Sequence, residues 1–371
     1  MKNEVKSFLE QYAQEGGNIA ELASFVQTLS TANKTPMGLN QWVLSDKPMM
    51  EDFNEDNRII DAALAGHENR ITQIPNDNLL INGNFDIWQR ATTQTTSGYG
   101  SDDRWNNSRS AGVVRTHSRQ PIDNPYLIPG ASFFSRTVIT NAGGSTDSCD
   151  KHQRIEDVRS VTGKVTLSFY ARSNAPRVIR TVSNQIFGVG GSAMVVGEQH
   201  NISITTEWAR YSVTFEIPSV EGRLIGANSF TTIGFILSSS GFSHQTGTFD
   251  IAQVKLELGS IATPLAPRPV AEELALCQRY YEIGNEEIHL SVISSNRNEI
   301  NRVQFKTRKR IAPTINILNP RLWRPTQVIP TSTGITRLNA DGFNPHFVLL
   351  PNAPFGSTEP TQLDWTADAE L

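Results

Sequence analysis

The chain has 371 residues, of which 38% are hydrophobic and 19% charged, and its formal net charge is −4. This length predicts two or three domains, and the composition is that of a globular protein rather than of a collagen-like or low-complexity fibre. The weak negative charge gives no reason to expect nucleic acid as a partner. No apolar run approaches the roughly 20 residues of a spanning helix, so we expect no membrane insertion.

Reactive-site motifs are missing from the sequence. Its two cysteines, Cys149 and Cys277, fall in different predicted modules and are expected to be free thiols. No CxxC, HExxH, GxSxG or phosphate-loop spacing is present. The doublet Asp102–Asp103 is not a natural glycosidase pair, because adjacent residues on a strand point to opposite faces. We therefore expect no enzymatic activity, no cofactor and no metal.

The N-terminal region, residues 1–52, is predicted to contain two short helices and a connector. The helices fall within residues 1–31 and are separated by Gly16 and Gly17. Isolated helices of this length are marginally stable. We therefore expect them to dock onto a partner protein or onto one another.

Residues 53–76 carry the repeat of a short coiled coil. Candidate seam residues recur at alternating spacings of four and three positions, which is the heptad pattern of helices that pack around one another. The predicted seam consists of Phe53, Asn57, Ile60, Leu64, His67, Ile71 and Ile74. The alternative is one amphipathic helix that packs on a neighbouring domain. Aliphatic seam residues permit a trimer, whereas Asn57 is a common device of dimers.

Residues 77–268 have the pattern of an all-β module. Segments rich in β-branched and aromatic residues alternate with turn residues. In one of them, Val165, Leu167 and Phe169 alternate with more polar neighbours. One apolar and one solvated face imply antiparallel pairing and two packed sheets. We therefore predict a mainly β protein whose largest part is an antiparallel β-sandwich.

A proline-rich connector closes this module. A strand over residues 249–258 is followed by three prolines, which forbid a helix before Val270. A helix is predicted next, and β patterning then returns. Residues 269–371 are therefore predicted to form a helix and a smaller C-terminal β domain.

Several long segments resemble bacteriophage tail-fibre and tail-appendage proteins. They are GLNQWVLSDKPMMEDFNEDNRIIDAAL, NLLINGNFDIWQR with the later DDRW, LELGSIATPLAPRPVAEELALCQRYYE and the ending WTADAEL. The resemblance implies a structural protein of the virion tail, assembled in the host bacterial cytoplasm. It also implies a homo-oligomer, with three copies expected, and contacts of the N-terminus with other tail or virion proteins. Host-surface polysaccharide is the implied ligand of the β domains.

The sandwich itself resembles the carbohydrate-binding modules of secreted polysaccharide hydrolases. The similar residues are NLLINGNFD at 78–86, GKVTLSFYARS at 163–173, EWARYSVTF at 207–215 and FDIAQVKLE at 249–257. This resemblance implies a jelly-roll topology. It also leaves open a structural calcium whose oxygen ligands would include Asn84, Asp86 and Asp250.

Four aromatic residues of the sandwich are candidate glycan-binding residues, because sugars stack on exposed aromatic faces rimmed by polar groups. They are Tyr99, Trp208, Trp88 and Trp105. A place in the core is the main alternative for Trp88 and Trp105.

Two groups of basic residues are candidate contacts for acidic polysaccharide. Arg109, Arg115 and Arg119 lie in the sandwich, and residues 302–310 lie in the C-terminal domain. The alternatives are a solvated rim and a charged edge strand.

The sequence therefore predicts a tail fibre or tail appendage that contributes to recognition of host-surface glycans. One alternative is a tail adaptor that binds no glycan, and another is a polysaccharide-degrading tail enzyme.

Overall fold

The structure, a computed structural model, describes residues 39, 41, 50–71, 77–294, 297–300, 302–322, 332–348 and 360–371. The chain divides into two compact units, Met1–Ile74 and Pro75–Leu371. The helices expected within residues 1–31 lie outside the described residues. Among the helices that are described, none has the length and hydropathy needed to cross a membrane.

The helix α1 spans Met50–Ile71 and covers most of the predicted coiled-coil segment. Its seam residues Phe53, Ile60 and Leu64 are 50%, 39% and 58% exposed in the single chain, and Asn57 is exposed as well. The coiled coil itself remains a prediction. The side chains of His67, Ile71 and Ile74 lie outside the described residues.

Eleven strands form two antiparallel sheets, as the alternation of apolar residues predicts. The strands are β1 (Thr93–Gln94), β2 (Trp105–Arg109), β3 (Val114–Pro121), β4 (Phe133–Asn141), β5 (Ser148–Glu156), β6 (Gly163–Ser173), β7 (Arg177–Ile186), β8 (Val195–Ile204), β9 (Ala209–Ile217), β10 (Phe230–Ser239) and β11 (Gly247–Leu258). One sheet has six strands in the order β1-β3-β4-β11-β6-β9, and the other has five in the order β2-β5-β10-β7-β8.

The main core lies between these two sheets. Val165, Leu167 and Phe169 of β6 are fully buried there, as their alternation predicts. Phe169 meets Phe235 of β10 edge to face, with ring centroids 4.8 Å apart. Such contacts between the inner faces identify the module as a β-sandwich.

The C-terminal part begins with the helix α2 and continues as one antiparallel sheet. Its elements are α2 (Val270–Gln278), β12 (Tyr281–Ser294), β13 (Arg297–Ile300), β14 (Val303–Gln304), β15 (Thr314–Leu322), β16 (Ser332–Asn339), β17 (Gly342–Val348) and β18 (Pro360–Asp368). The strand order is β14-β17-β13-β12-β18-β15, with β16 paired to β17. A small core around Trp365 and Phe343, both fully buried, supports this sheet.

Buried ion pairs join the C-terminal sheet to the sandwich. Arg104 is 1% exposed, pairs with Glu370 and lies 3.4 Å from the ring centroid of Tyr280. Arg90 reaches Asp368 at 3.2 Å and Glu370 at 3.3 Å. These contacts hold the end of the last strand against the sandwich.

The opening and closing segments of the sandwich contact each other. Asn78 donates to the Val254 carbonyl at 2.9 Å and accepts from the Leu256 backbone at 2.9 Å. Arg268, in the proline-rich connector, donates to the carbonyl of Asn78 and pairs with Glu273 at 3.2 Å. The opening and closing segments of the sandwich therefore form one structural contact region.

Candidate glycan-binding face

Trp105 lies in the core and not on a binding surface, which corrects its place among the glycan-binding candidates. It is fully buried, and its Nε1 donates to the Asn82 carbonyl at 3.1 Å. Phe85 and Phe235 pack on it, with centroid distances of 5.4 and 6.5 Å. As the first residue of β2, Trp105 points between the sheets, so its ring faces are closed to a ligand.

Trp88 and Tyr99 are half-buried and lie apart from the face described below. Trp88 stacks on His117 at 5.8 Å and donates to the Phe85 carbonyl at 2.6 Å. Tyr99 lies 5.8 Å from the Arg90 guanidinium, beside the C-terminal sheet, and burial raises the pKa of its hydroxyl. Packing therefore accounts for most of the surface of both rings.

Trp208 lies on the outer face of the six-stranded sheet, just before β9. Its ring meets Phe134 of β4 edge to face at 5.2 Å. The Arg172 guanidinium lies 4.7 Å from the Trp208 centroid, within the range of a cation–π contact. Of the four predicted aromatics, Trp208 is the one whose neighbours suit a sugar site.

Three charged residues beside Trp208 form a row across three strands, here called the arginine–aspartate row. Asp250 of β11 pairs in register with Arg136 of β4 and with Arg172 of β6. Phe249 and Ile251 point into the core, so Asp250 points outward, because side chains alternate along a strand.

Hydrogen bonds fix the geometry of the arginine–aspartate row. Arg136 is bidentate on Asp250, with Nε–Oδ1 at 2.7 Å and Nη2–Oδ2 at 2.8 Å. Arg172 donates from Nε to Oδ2 of Asp250 at 2.9 Å. The carboxylate is 3% exposed, whereas the two guanidinium side chains are 31% and 32% exposed. The row therefore presents planar donors to solvent and keeps its acceptor below them.

An open cavity of about 380 Å³ lies over the arginine–aspartate row. Ser173, Asn174, Thr206 and Thr248 complete its lining. A guanidinium carries five N–H donors, and the contacts with Asp250 occupy only part of them. The cavity therefore offers fixed guanidinium donors, hydroxyl groups and an amide close to an indole ring, which is the polar and aromatic mixture that a sugar ring requires.

The three residues that the sequence left open as calcium ligands make other contacts in the structure. Asp250 is neutralised by two guanidinium groups, which oppose a cation at the same place. Asn84 instead donates to Asp86 at 2.9 Å and to the Gly130 carbonyl at 3.0 Å. Within the part of the chain that the structure describes, no group of three or more histidine, cysteine or acidic side chains is placed to hold a metal.

The basic residues predicted to meet acidic polysaccharide have structural roles in the sandwich. Arg115 is 3% exposed and donates to the carbonyl of Asn107 at 2.6 Å. Arg109 donates to the Val113 carbonyl at 2.8 Å, and the Arg119 guanidinium lies 4.4 Å from the Phe133 centroid. Arg115 in particular is closed to a ligand.

The sequence analysis included Trp208 among its candidates but did not consider the two arginines of the row, and it considered Asp250 only as an oxygen ligand of a calcium that it left open. Arg172 and Arg136 precede Asp250 by 78 and 114 positions, so only the strand register brings the three charged residues together. The available signal was a charged residue at an outward position in three apolar strands.

The chain has matches among solved structures. No protein-family model and no curated protein matches the chain. A CBM4 domain is 17% identical, over 47% of this chain and 97% of its own, with a TM-score of 0.30. A family 11 carbohydrate-binding module from Clostridium thermocellum, in complex with a mixed-linked tetrasaccharide, is 12% identical over 44% of this chain and 94% of its own, with a TM-score of 0.29. The enzymatically active domain of bacteriophage CBA120 tailspike protein 4 is 15% identical over 48% of this chain and 21% of that one, with a TM-score of 0.30.

Proposed function

We propose that this chain is a non-enzymatic tail fibre or tail appendage of a bacteriophage, and that its sandwich binds a host-surface glycan. The observation that carries the binding proposal is the cavity in which the arginine–aspartate row lies beside Trp208. The resemblance of the opening, connecting and closing segments to tail-fibre proteins supports the place in the virion.

Binding at this face follows from its chemistry. The half-buried indole of Trp208 lies beside the cavity and provides apolar surface for the C–H groups of a sugar, and the arginine donors reach hydroxyl or carboxylate oxygens. Because Asp250 and Phe134 hold the arginine side chains, little rotamer freedom is lost on binding. The open cavity suits an internal stretch of a polysaccharide as well as a chain end.

Oligomerisation through the α1 seam is part of the same proposal. Several weak glycan sites on one assembly bind a repetitive surface with an avidity about 10²–10⁴ times the single-site affinity. The N-terminal region would attach the assembly to other tail proteins.

Titration of host polysaccharide against the full chain tests the glycan site. We expect Trp208→Ala and Arg172→Ala each to weaken binding about tenfold, or about 1.4 kcal/mol. Arg180→Ala is the matched control, because Arg180 also stacks on an aromatic ring, Phe242 at 4.2 Å, but belongs to β7 of the other sheet. Equal losses in all three variants, or unchanged binding in the first two, would contradict the proposal.

Two further outcomes separate the alternatives. A chain that binds no host polysaccharide, yet incorporates into particles, would be a tail adaptor. Release of reducing ends from purified host polysaccharide would identify a tail enzyme and overturn the non-enzymatic role.

A further inference from the structure

A cluster of polar side chains is buried between the two sheets, close to Trp105 and closed to solvent. Asp102 and Lys151 are each 1% exposed, Asn107 is 3% exposed and His117 is fully buried. We call these four residues the buried polar cluster. Neither the fold nor glycan binding requires an ammonium group at this place, and enclosing one is costly.

Lys151 and Asn107 face each other within the buried polar cluster. They are direct partners in the antiparallel pair of β2 and β5. The Lys151 Nζ donates to the Asn107 Oδ1 at 2.8 Å, and because a C=O bond is about 1.2 Å long, the amide carbon lies within about 4 Å of the amine. Reactive groups held at such a distance need no further encounter.

Asp102 bridges the two reacting groups. One carboxylate oxygen contacts the Lys151 Nζ, and the other accepts from the Asn107 Nδ2 at 2.7 Å. A single carboxylate thus touches both the nitrogen that must lose a proton and the nitrogen that must gain one. This is the arrangement of a general acid–base catalyst.

We propose that Lys151 and Asn107 form an intramolecular amide cross-link, with Asp102 as the proton carrier. The Lys151 Nζ attacks the Asn107 Cγ, and the new C–N bond replaces the Cγ–Nδ2 bond. In this step Nζ loses two of its three protons, and Asp102 carries them in turn to the departing nitrogen. Starting from the ammonium form, the products are a secondary amide and an ammonium ion, so the step is balanced and requires no oxidant or co-reactant.

The surroundings of Lys151 favour the nucleophile. The ring centroids of Phe85 and Trp105 each lie 5.3 Å from its Nζ. Burial lowers the pKa of Lys151 to about 8, despite the opposing charge of Asp102. Desolvation makes a lysine release its proton more readily, and the free amine is the nucleophile.

His117 is a positioning residue of the buried polar cluster. Its Nε2 lies 3.1 Å from the Asp102 Oδ1, and its Nδ1 lies 3.1 Å from the Thr137 Oγ1. Burial and the nearby Lys151 charge lower the pKa of His117 to about 4, so the ring is neutral near pH 7. The neutral ring can hold the Asp102 carboxylate in place without competing with the Lys151 ammonium for its charge.

Two other buried lysines provide internal controls. Lys255 contacts Glu257 at 3.1 Å and the Thr263 hydroxyl at 2.5 Å. Lys309 contacts Glu282 and the Gln278 carbonyl. Carboxylate, hydroxyl and backbone oxygens surround these two amines, whereas Lys151 meets a side-chain amide. We therefore expect both to keep free amines.

The intact mass of the full chain, measured after denaturation, tests the cross-link. We expect the wild-type chain to be lighter than its sequence by one ammonia, and digestion to yield a branched peptide that joins residues 107 and 151. Lys151→Met should restore the full mass, whereas Lys255→Met should retain the loss. Asp102→Asn should reduce the linked fraction at least tenfold.

A second variant distinguishes bond formation from a structural role. In Asn107→Asp the same attack expels water, so the mass loss should change from one ammonia to one water. A wild-type chain of full mass, with a free Lys151 peptide after digestion, overturns the proposal. A wild-type loss of water with a link to residue 102 also overturns it, because Asp102 would then be the partner and not the proton carrier.

Discussion

At the residue scale, the environment of each charged group decides what it does. Asp250 and Asp102 are both buried carboxylates paired with cations, but Asp250 lies below a solvent-facing pair of guanidinium groups, whereas Asp102 contacts the single ammonium of Lys151 between the sheets. Burial alone would raise the pKa of Asp102, but the Lys151 and His117 contacts outweigh it and hold the pKa well below its usual range. The first arrangement suits a surface that meets ligands, and the second keeps one carboxylate in contact with both the Lys151 and the Asn107 side-chain nitrogens.

Asp250→Asn is expected to destabilise the sandwich. It leaves Arg136 and Arg172 without their counter-charge, and since both are about one-third exposed, water offsets part of the loss. We expect the free energy of unfolding to fall by about 1–3 kcal/mol in urea denaturation. Asp150→Asn is the control, because its His152 contact is 3.8 Å long, and a change of equal size there would contradict this reading.

We expect the free energy of unfolding to decrease in acid because of His117. Its pKa is 6.5 in an unfolded chain and about 4 in the fold, so the unfolded state binds more protons between these values. Stability from His117 is therefore lost as the pH falls from 6.5 to 4, by about 2–3 kcal/mol. The advantage of the wild type over His117→Gln should shrink by that amount in denaturant titrations across this window.

Asp103 provides a control of opposite sign. Burial raises its pKa from 3.8 to about 6, so the folded state binds more protons between these values and gains stability as the pH falls. The free energy of unfolding of the wild type should therefore rise relative to that of Asp103→Asn as the pH falls from 6 to 4. A parallel trend in the two variants would refute both assignments.

At the element scale, the strand β18 explains the closing sequence WTADAEL. Trp365, Ala367 and Ala369 are buried, while Asp368 and Glu370 point the other way, toward arginines of the sandwich. Because side chains alternate along the strand, one set of them packs on the C-terminal side and the other set forms the junction with the sandwich.

Glu370→Gln should weaken this junction strongly. Arg104, 1% exposed, would lose the carboxylate that neutralises it, and breaking a buried pair costs about 3–5 kcal/mol. We expect that decrease in the free energy of unfolding, measured by chemical denaturation. Glu287→Gln, at an exposed position of β12, should change it by less than about 0.5 kcal/mol, and a similar decrease there would count against the junction.

At the scale of the whole molecule, α1 carries the expected self-association. Leu64 is 58% exposed in the single chain, and an aspartate at a seam position would place charge inside the bundle. We expect Leu64→Asp to convert the assembly to monomers in light scattering, while Glu55→Gln leaves it intact. A wild-type chain that is monomeric at micromolar concentration would remove the coiled coil from the proposal.

The sequence predicted the layers of the molecule better than its sites. Alternation in β6 predicted which residues face the core, because a two-residue period survives in any sheet order. The arginine–aspartate row and the junction at Glu370 depend on register between distant strands, which periodicity does not encode. Trp105 shows the same limit, since the side of a strand's first residue depends on the turn before it.

The contact of Asn78 with β11 has a consequence for biosynthesis. Its partners lie 176 and 178 positions later in the chain, and Glu370, the partner of Arg104, lies 266 positions after it. During translation, Asn78 therefore cannot make these contacts until most of the polypeptide has left the ribosome. Chains that terminate early would keep an unneutralised arginine and an open sheet edge, which proteases that clear incomplete chains can recognise.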